Sequence, residues 1–169
     1  LSDDELAIFL DIEKIVAEIN PDLGGNPDSI RSLGPRERST KKILIAEDSG
    51  VLRALLQDTL EKAGYENVTI FQNGKEAWEY LHILAEDQTV QPDEIVQLVL
   101  TDIEMPQMDG HHLTYRIKQH PRLKNIPVII FSSLITDDLY HKGEKVGANA
   151  QISKPQIVEL VKEIDKHIL

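Results

Sequence analysis

Residues 97–102 read QLVLTD, a short apolar run that stops on a carboxylate, Asp102. Four further runs of similar length share the chain with it: KILIA (42–46), NVTIF (67–71), PVIIF (127–131) and AQI (150–152). β-Branched residues are frequent in most of them, which is strand chemistry. Between the runs lie stretches of helical character at 50–63, 75–86, 110–119, 137–146 and 156–167, with Gly64, Gly74, Gly110 and Gly147 at the joins. Strand–helix alternation repeated five times predicts an α/β fold whose parallel sheet is covered on both faces. Nearly continuous apolar strands are what two-sided burial requires. Right-handed crossovers then favour a doubly wound, five-stranded parallel sheet in order 2-1-3-4-5, with any ligand beyond the carboxyl ends of the strands.

The residues at those ends are polar. The first run leads into Glu47-Asp48, the third into Asp102, the fourth into Ser132-Ser133 and the fifth into Ser153-Lys154. Three carboxylates delivered to one rim repel one another and suit a hard divalent cation with oxygen ligands, Mg²⁺ above all. Lys154 can neutralise a phosphoryl group and a serine hydroxyl can hydrogen-bond another of its oxygens. A carboxylate is an established nucleophile in aspartyl-phosphate chemistry. The constellation therefore suits phosphoryl transfer, which needs positioning and charge stabilisation more than covalent help.

Residues 41–169 resemble the receiver domain of two-component response regulators, on ILIAEDS, LVLTDIEMPQMDG, VIIFSS and GANAQISKP in that order. The resemblance implies that Asp102 is the phosphorylated aspartate and that Glu47 and Asp48 are the acidic pair, Asp48 the more direct ligand. It further implies that Glu104 lends its backbone carbonyl to Mg²⁺, that Ser132 is the hydroxyl following the phosphoryl group, and that Lys154 precedes a cis peptide at Pro155. A histidine kinase is the implied phosphodonor. Two departures stand out. The position three before Lys154, usually aromatic in the family, is Gln151, and the stretch AEDQTVQPDE (85–94) lengthens the connection into the third strand.

Upstream, DDELAIFLDIEKIVAEI (3–19) places Ile8, Ile12, Ile15, Val16 and Ile19 on one helical stripe, which predicts a short helical appendage. Residues 20–40 hold three prolines and three glycines with almost no apolar periodicity, so they read as a linker. FLDIEKIVAEINP resembles the C-terminal end of CheW-type coupling modules. Joined to a receiver, it resembles the CheV-type chemotaxis family, implying a role in coupling the chemoreceptor array to the chemotaxis kinase. Residues 1–19 are accordingly expected to be the remnant of a CheW-like module, 20–40 a linker and 41–169 the receiver. Because the chain opens on Leu1, something is expected to precede it.

Composition narrows the alternatives. A formal net charge of −11 opposes general binding to nucleic acid or anionic lipid. No cysteine is present, which removes disulfides and thiolate metal sites and suits a cytoplasmic setting. No run is long and apolar enough to insert in a membrane. The chain lacks G-x-x-x-x-G-K-[ST], so a nucleotide-hydrolysing reading fails. An aspartate-nucleophile phosphatase would carry D-x-D on the first strand, where this chain has Glu47-Asp48. Helix capping is the rival reading of that pair, and a degenerate receiver acting only as an interaction module is the rival reading of the whole. His111-His112 are expected to be solvent or partner contacts on different helix faces, and Trp78 a partly buried residue of the second helix.

Overall fold

The structure, a computed structural model, describes residues 26–169. Five parallel strands form one sheet in order β2-β1-β3-β4-β5. They are β1 (Ser39–Ala46), β2 (Tyr65–Phe71), β3 (Leu98–Thr101), β4 (Val128–Ser132) and β5 (Ala150–Ser153). The crossover helices are α1 (Gly50–Lys62), α2 (Gly74–Glu86), α3 (Gly110–Gln119), α4 (Asp137–Val146) and, last, α5 (Ile157–Ile168). The doubly wound sheet expected from the sequence is thus the observed one, with helix bounds within a residue or so of those predicted.

Side chains alternate across a strand, and the alternation divides the core in two. Ile43, Ile45, Leu98, Leu100, Ile129 and Phe131 face one side with Leu56 and Leu60 of α1 and Leu160, Val161 and Ile164 of α5. Leu44, Ala46, Val99 and Val128 face the other, with Ala77 and Leu81 of α2 and Leu113 and Ile117 of α3. Each fully buried aliphatic side chain contributes about 1.5–3 kcal/mol, and β3 is buried at all four positions. Burial on both faces fixes the strand ends relative to one another, and that positions the rim.

The linker expected over 20–40 needs correction in its second half. Pro27–Leu33 form a 3-10 helix capped by the Asn26 side chain. Ile30 is 2% exposed within the α1–α5 core, and Leu33 packs beside it. Three residues per turn bring positions 30 and 33 to one side, so two apolar residues suffice to anchor a segment that shows no longer periodicity. The chain then passes over Gly64, whose φ is +92° and where any Cβ would overlap the Glu37 carbonyl. Ser39 N–H donates to Gly64 O at 2.8 Å to begin the pairing of β1 with β2. β1 itself starts three residues before the predicted run. The helical appendage at 1–19 and the first part of the linker lie outside the described residues.

The long connection into β3 contains a single helical turn, Pro92–Ile95. The Arg122 guanidinium donates to the carbonyls of Ala85, Asp87 and Val90 and holds this connection against the segment after α3. No helix among the described residues is long and apolar enough to cross a membrane.

Candidate functional site

At the carboxyl ends of the strands, Glu47, Asp48 and Asp102 each place one carboxylate oxygen within 4.8 Å of the others. Glu47 is 1% exposed and Asp102 9%, whereas Asp48 faces solvent. Lys154 Nζ donates to Glu47 Oε2 at 2.8 Å and reaches Asp102 Oδ2 at 3.2 Å. Its side chain is only 7% exposed. Among the described residues it is the one cation ion-paired with this cluster. Three carboxylates therefore cluster beside a single ammonium, which pairs with two of them.

The backbone holds these groups in place. Ile103 N–H donates to Asp102 Oδ1 at 2.7 Å, so one oxygen of Asp102 meets an amide and the other an ammonium. Gly110 N–H donates to the Ile103 carbonyl at 2.8 Å. A side chain at Gly110 would overlap the Asp102 carbonyl, so glycine lets the first turn of α3 close on the end of β3. Asp109 caps that helix by accepting His112 N–H at 2.7 Å.

Helix capping does not account for Glu47 and Asp48. The cap of α1 is Ser49, whose hydroxyl accepts Leu52 N–H, while Glu47 Oε1 accepts Ser49 N–H at 3.1 Å. Arg53 donates to the carbonyls of Glu47 and Asp48 at 3.0 and 2.8 Å and fixes the turn. The sequence reading missed Arg53 and the Ile103 amide. A surface-type arginine one turn into a helix carries no signal of such a contact, and a backbone donor carries none at all.

Electrostatics record the imbalance. Burial pushes the Glu47 carboxyl up to about 7 against the pull of Lys154, and Asp102 adds to the rise. Lys154 is held above its ordinary value: burial works against the ammonium, but Glu47 and then Asp102 outweigh it. Burial is the larger cause of that rise; the shortage of positive charge is seen in the geometry, with three clustered carboxylates and one paired lysine. The pocket's all-oxygen donors fit Mg²⁺, which would hold Glu47 ionised.

Ser132 is 1% exposed at the end of β4. It pairs in register with Ser153 of β5, and its carbonyl accepts Lys154 N–H at 3.0 Å. Its hydroxyl accepts Leu134 N–H at 3.1 Å. The Lys154–Pro155 peptide is cis. Glu104 is exposed on the loop leaving β3, and its side chain is not part of the acidic cluster. Gln151 Nε2 donates to the Tyr140 carbonyl of α4 at 2.8 Å, and its Oε1 is buried without a partner.

One expectation is half wrong. His112 is exposed, but His111 is 2% exposed and its Nε2 has no hydrogen-bond partner. Burial first, and Lys142 second, push its imidazole below the ordinary value. The two rings do point to different faces, as the helix period requires, and the inner face of α3 packs against α2 and α4. Trp78 is partly buried against the second core, as expected.

Comparison with known proteins places these features in a family. The response regulator receiver domain model matches residues 43–165. The chemotaxis protein CheY1 of Helicobacter pylori is 31% identical over 122 residues, 72% of this chain and 91% of CheY1. CheV2 of the same organism is 33% identical over 161 residues, 94% of this chain but 48% of CheV2. The chain thus spans about half the length of that relative. Among solved structures, the phosphorylated cyanobacterial phytochrome response regulator RcpA matches with a TM-score of 0.64 and 28% identity, over 77% of this chain and 94% of RcpA. The receiver domain of the Pseudomonas aeruginosa sensor histidine kinase PA1611, 21% identical with a TM-score of 0.63, holds a magnesium ion in its active-site cleft. The response regulator Rcp1, 24% identical with a TM-score of 0.61, has a Mn²⁺-bound form. On the sheet order, the acidic rim and this match, the chain belongs to the response regulator receiver domain family, the signalling receivers of two-component systems.

Proposed function

We propose that this chain accepts a phosphoryl group on Asp102 from a histidine kinase and works as a conformational switch that modulates receptor–kinase coupling in chemotaxis. The observation that carries the reading is the charge imbalance: three carboxylates within 4.8 Å of one another and one paired lysine. Asp48, Glu47, Asp102 and the Glu104 carbonyl are the proposed Mg²⁺ ligands. When bound, the cation supplies neutralisation of the acidic pocket and of the incoming phosphoryl oxygens.

In the reaction, a carboxylate oxygen of Asp102 attacks phosphorus. The bond from phosphorus to the kinase histidine nitrogen breaks, and the imidazole leaves with that electron pair. Lys154, now on Glu47 and Asp102, faces a new anionic oxygen and stabilises it. The Ser132 hydroxyl already accepts Leu134 N–H through its oxygen, so its hydrogen remains available to a phosphoryl oxygen. Water later cleaves the acyl phosphate and restores the carboxylate. In the absence of a kinase, only self-phosphorylation from small donors and autodephosphorylation are expected, so the chain is a signalling domain and no metabolic enzyme.

Gln151 bears on the output. Its side chain is tied to the Tyr140 carbonyl, and it has no ring to swing inward. Movement on phosphorylation is therefore assigned to Ser132, Leu134 and the loop to Asp137 at the start of α4. Similarity to CheV2 along most of the chain supports a cytoplasmic setting beside the chemoreceptor array, with a CheW-like module as the contact to receptors. Incubation with a phosphorylated chemotaxis kinase, or with acetyl phosphate in Mg²⁺, tests the reading. One stable phosphoryl per chain supports it. Continuous turnover would make the chain a phosphatase, and no uptake would make it an interaction module alone.

A further inference from the structure

A second group of metal-binding side chains sits where α2 and α3 end. His82, Glu86 and His120 each offer one ligand atom within 4.8 Å of the others. His82 and Glu86 are four residues apart on α2, so they share one face, and His120 is the C-cap residue of α3. His82 Nδ1 lies 4.0 Å and His120 Nε2 3.5 Å from the same oxygen, Glu86 Oε1. Ligands held at the usual zinc distances around a tetrahedral ion are about 3.3 Å apart. With all three ligand atoms within 4.8 Å of one another, shifts of at most about 1.5 Å in two exposed side chains, His82 and Glu86, would close the triangle.

The surroundings hold the three ligands together. Trp78 stacks on His82 at 5.4 Å between ring centroids and 17° between planes. It meets His120 edge-on at 6.2 Å. The Arg122 guanidinium, two residues past His120, donates to Ala85, Asp87 and Val90 carbonyls and so ties the end of α2 to the end of α3. His120 is the least exposed of the three, at 14% of its side chain.

We infer that His82, Glu86 and His120 form a binding site for a divalent transition metal of the zinc–nickel class. Two imidazoles and one carboxylate suit Zn²⁺, Ni²⁺ or Cu²⁺ and do not suit Mg²⁺. The site is thereby chemically distinct from the acidic cleft, and its claim stands whether or not Asp102 is phosphorylated. Two costs limit its strength. Arg116 lies 5.4 Å over the Trp78 ring and adds positive charge nearby. His120 Nδ1 accepts Arg122 N–H at 3.2 Å, which places the hydrogen of the neutral ring on Nε2. Binding at Nε2 moves that hydrogen to Nδ1, gives up the contact to Arg122 and releases no net proton from the neutral ring. A bound ion would lock the ends of α2 and α3 together.

Trp78 is the chain's single tryptophan, and its stacking on His82 supplies the readout. Untagged chain in excess Mg²⁺, which occupies the acidic cleft, is titrated with Ni²⁺ while Trp78 emission is followed. The expected result is saturable quenching at one equivalent, reversed by competing Zn²⁺. Glu86→Gln and His120→Gln each weaken apparent affinity roughly tenfold or more. His141→Gln, an exposed histidine beside Glu144, leaves it unchanged. His82→Gln also alters the Trp78 environment, so that variant is read by Zn²⁺ calorimetry and loses the binding event. Unsaturable quenching, an unaltered titration in His120→Gln, or quenching lost in Asp48→Ala and kept in His120→Gln would each overturn the site.

Discussion

The two ends of the sheet each hold a largely buried ion pair, and the two are matched very differently. At the amino end, Arg36 donates to both oxygens of Asp165, at 2.9 and 2.5 Å, and its Nε donates to the Ala63 carbonyl at 2.7 Å. Tyr65 adds its hydroxyl to Asp165 Oδ1 at 2.6 Å. One cation meets one anion in a two-pronged fit, and the hydrogen bonding of the guanidinium to the Asp165 carboxylate holds it above its ordinary value. At the carboxyl end, three carboxylates cluster with one lysine that pairs with two of them, and burial still pushes Glu47 up to about 7. Burial of charge is common to both ends; surplus charge is found at one. The matched cluster stabilises the packing of the segment before β1, whereas the unmatched one has the surplus charge that the proposed cation and phosphoryl group would use.

Substitutions can break that contrast. The largest effect is expected at the rim, where Asp48→Ala eliminates the rise in Tm that Mg²⁺ gives by mass action. A full Mg²⁺ shift in that variant would place the ion elsewhere. Next comes Ile30→Ala, which leaves a cavity between α1 and α5 and costs about 3 kcal/mol, read as a fall in the urea midpoint. Removing residues 1–25 leaves that midpoint unchanged, while removal through residue 38 lowers it further than Ile30→Ala. If both truncations behave alike, the segment before β1 is not part of the receiver. Arg36→Ala leaves Asp165 and the Ala63 carbonyl without their strongest donor and costs about 2 kcal/mol, with Mg²⁺ binding unaltered. Loss of Mg²⁺ binding in this variant would show that the two ends are one system.

A smaller effect concerns pH. The His111 imidazole is pushed below its ordinary 6.5 by burial. Below that value the unfolded chain takes up a proton that the folded chain resists, so stability falls as pH drops through it. His111→Phe flattens this acid limb, by less than the losses at Ile30 or Arg36. Urea midpoints at pH 7 and pH 5.5 measure it, and equal slopes in both proteins would show that His111 accepts its proton when folded.

Much of this was legible in the sequence, for a physical reason. Strands buried on both faces must be apolar throughout, so KILIA, QLVLT and PVIIF announce themselves, and the residue that ends each run marks the rim. Asp102, Glu47, Asp48 and Lys154 were readable because chain order and strand order together bring them to one edge. Ile30 and Leu33 were not, since two apolar residues among prolines and glycines form no period. Arg36 and Asp165 are 129 positions apart, and neither lies at the end of an apolar strand. His111 and His112 look alike in sequence, and only the packing of α3 decides which of them is buried.

The surplus of carboxylates at the rim is proposed to receive a phosphoryl group on Asp102. Intact-mass measurement after treatment with acetyl phosphate and Mg²⁺, followed by peptide mapping, tests it most directly. The prediction is one phosphoryl equivalent on the wild-type chain, mapped to Asp102, and none on Asp102→Ala, which keeps its fold. A full equivalent on Asp102→Ala, mapped to another carboxylate, would contradict it.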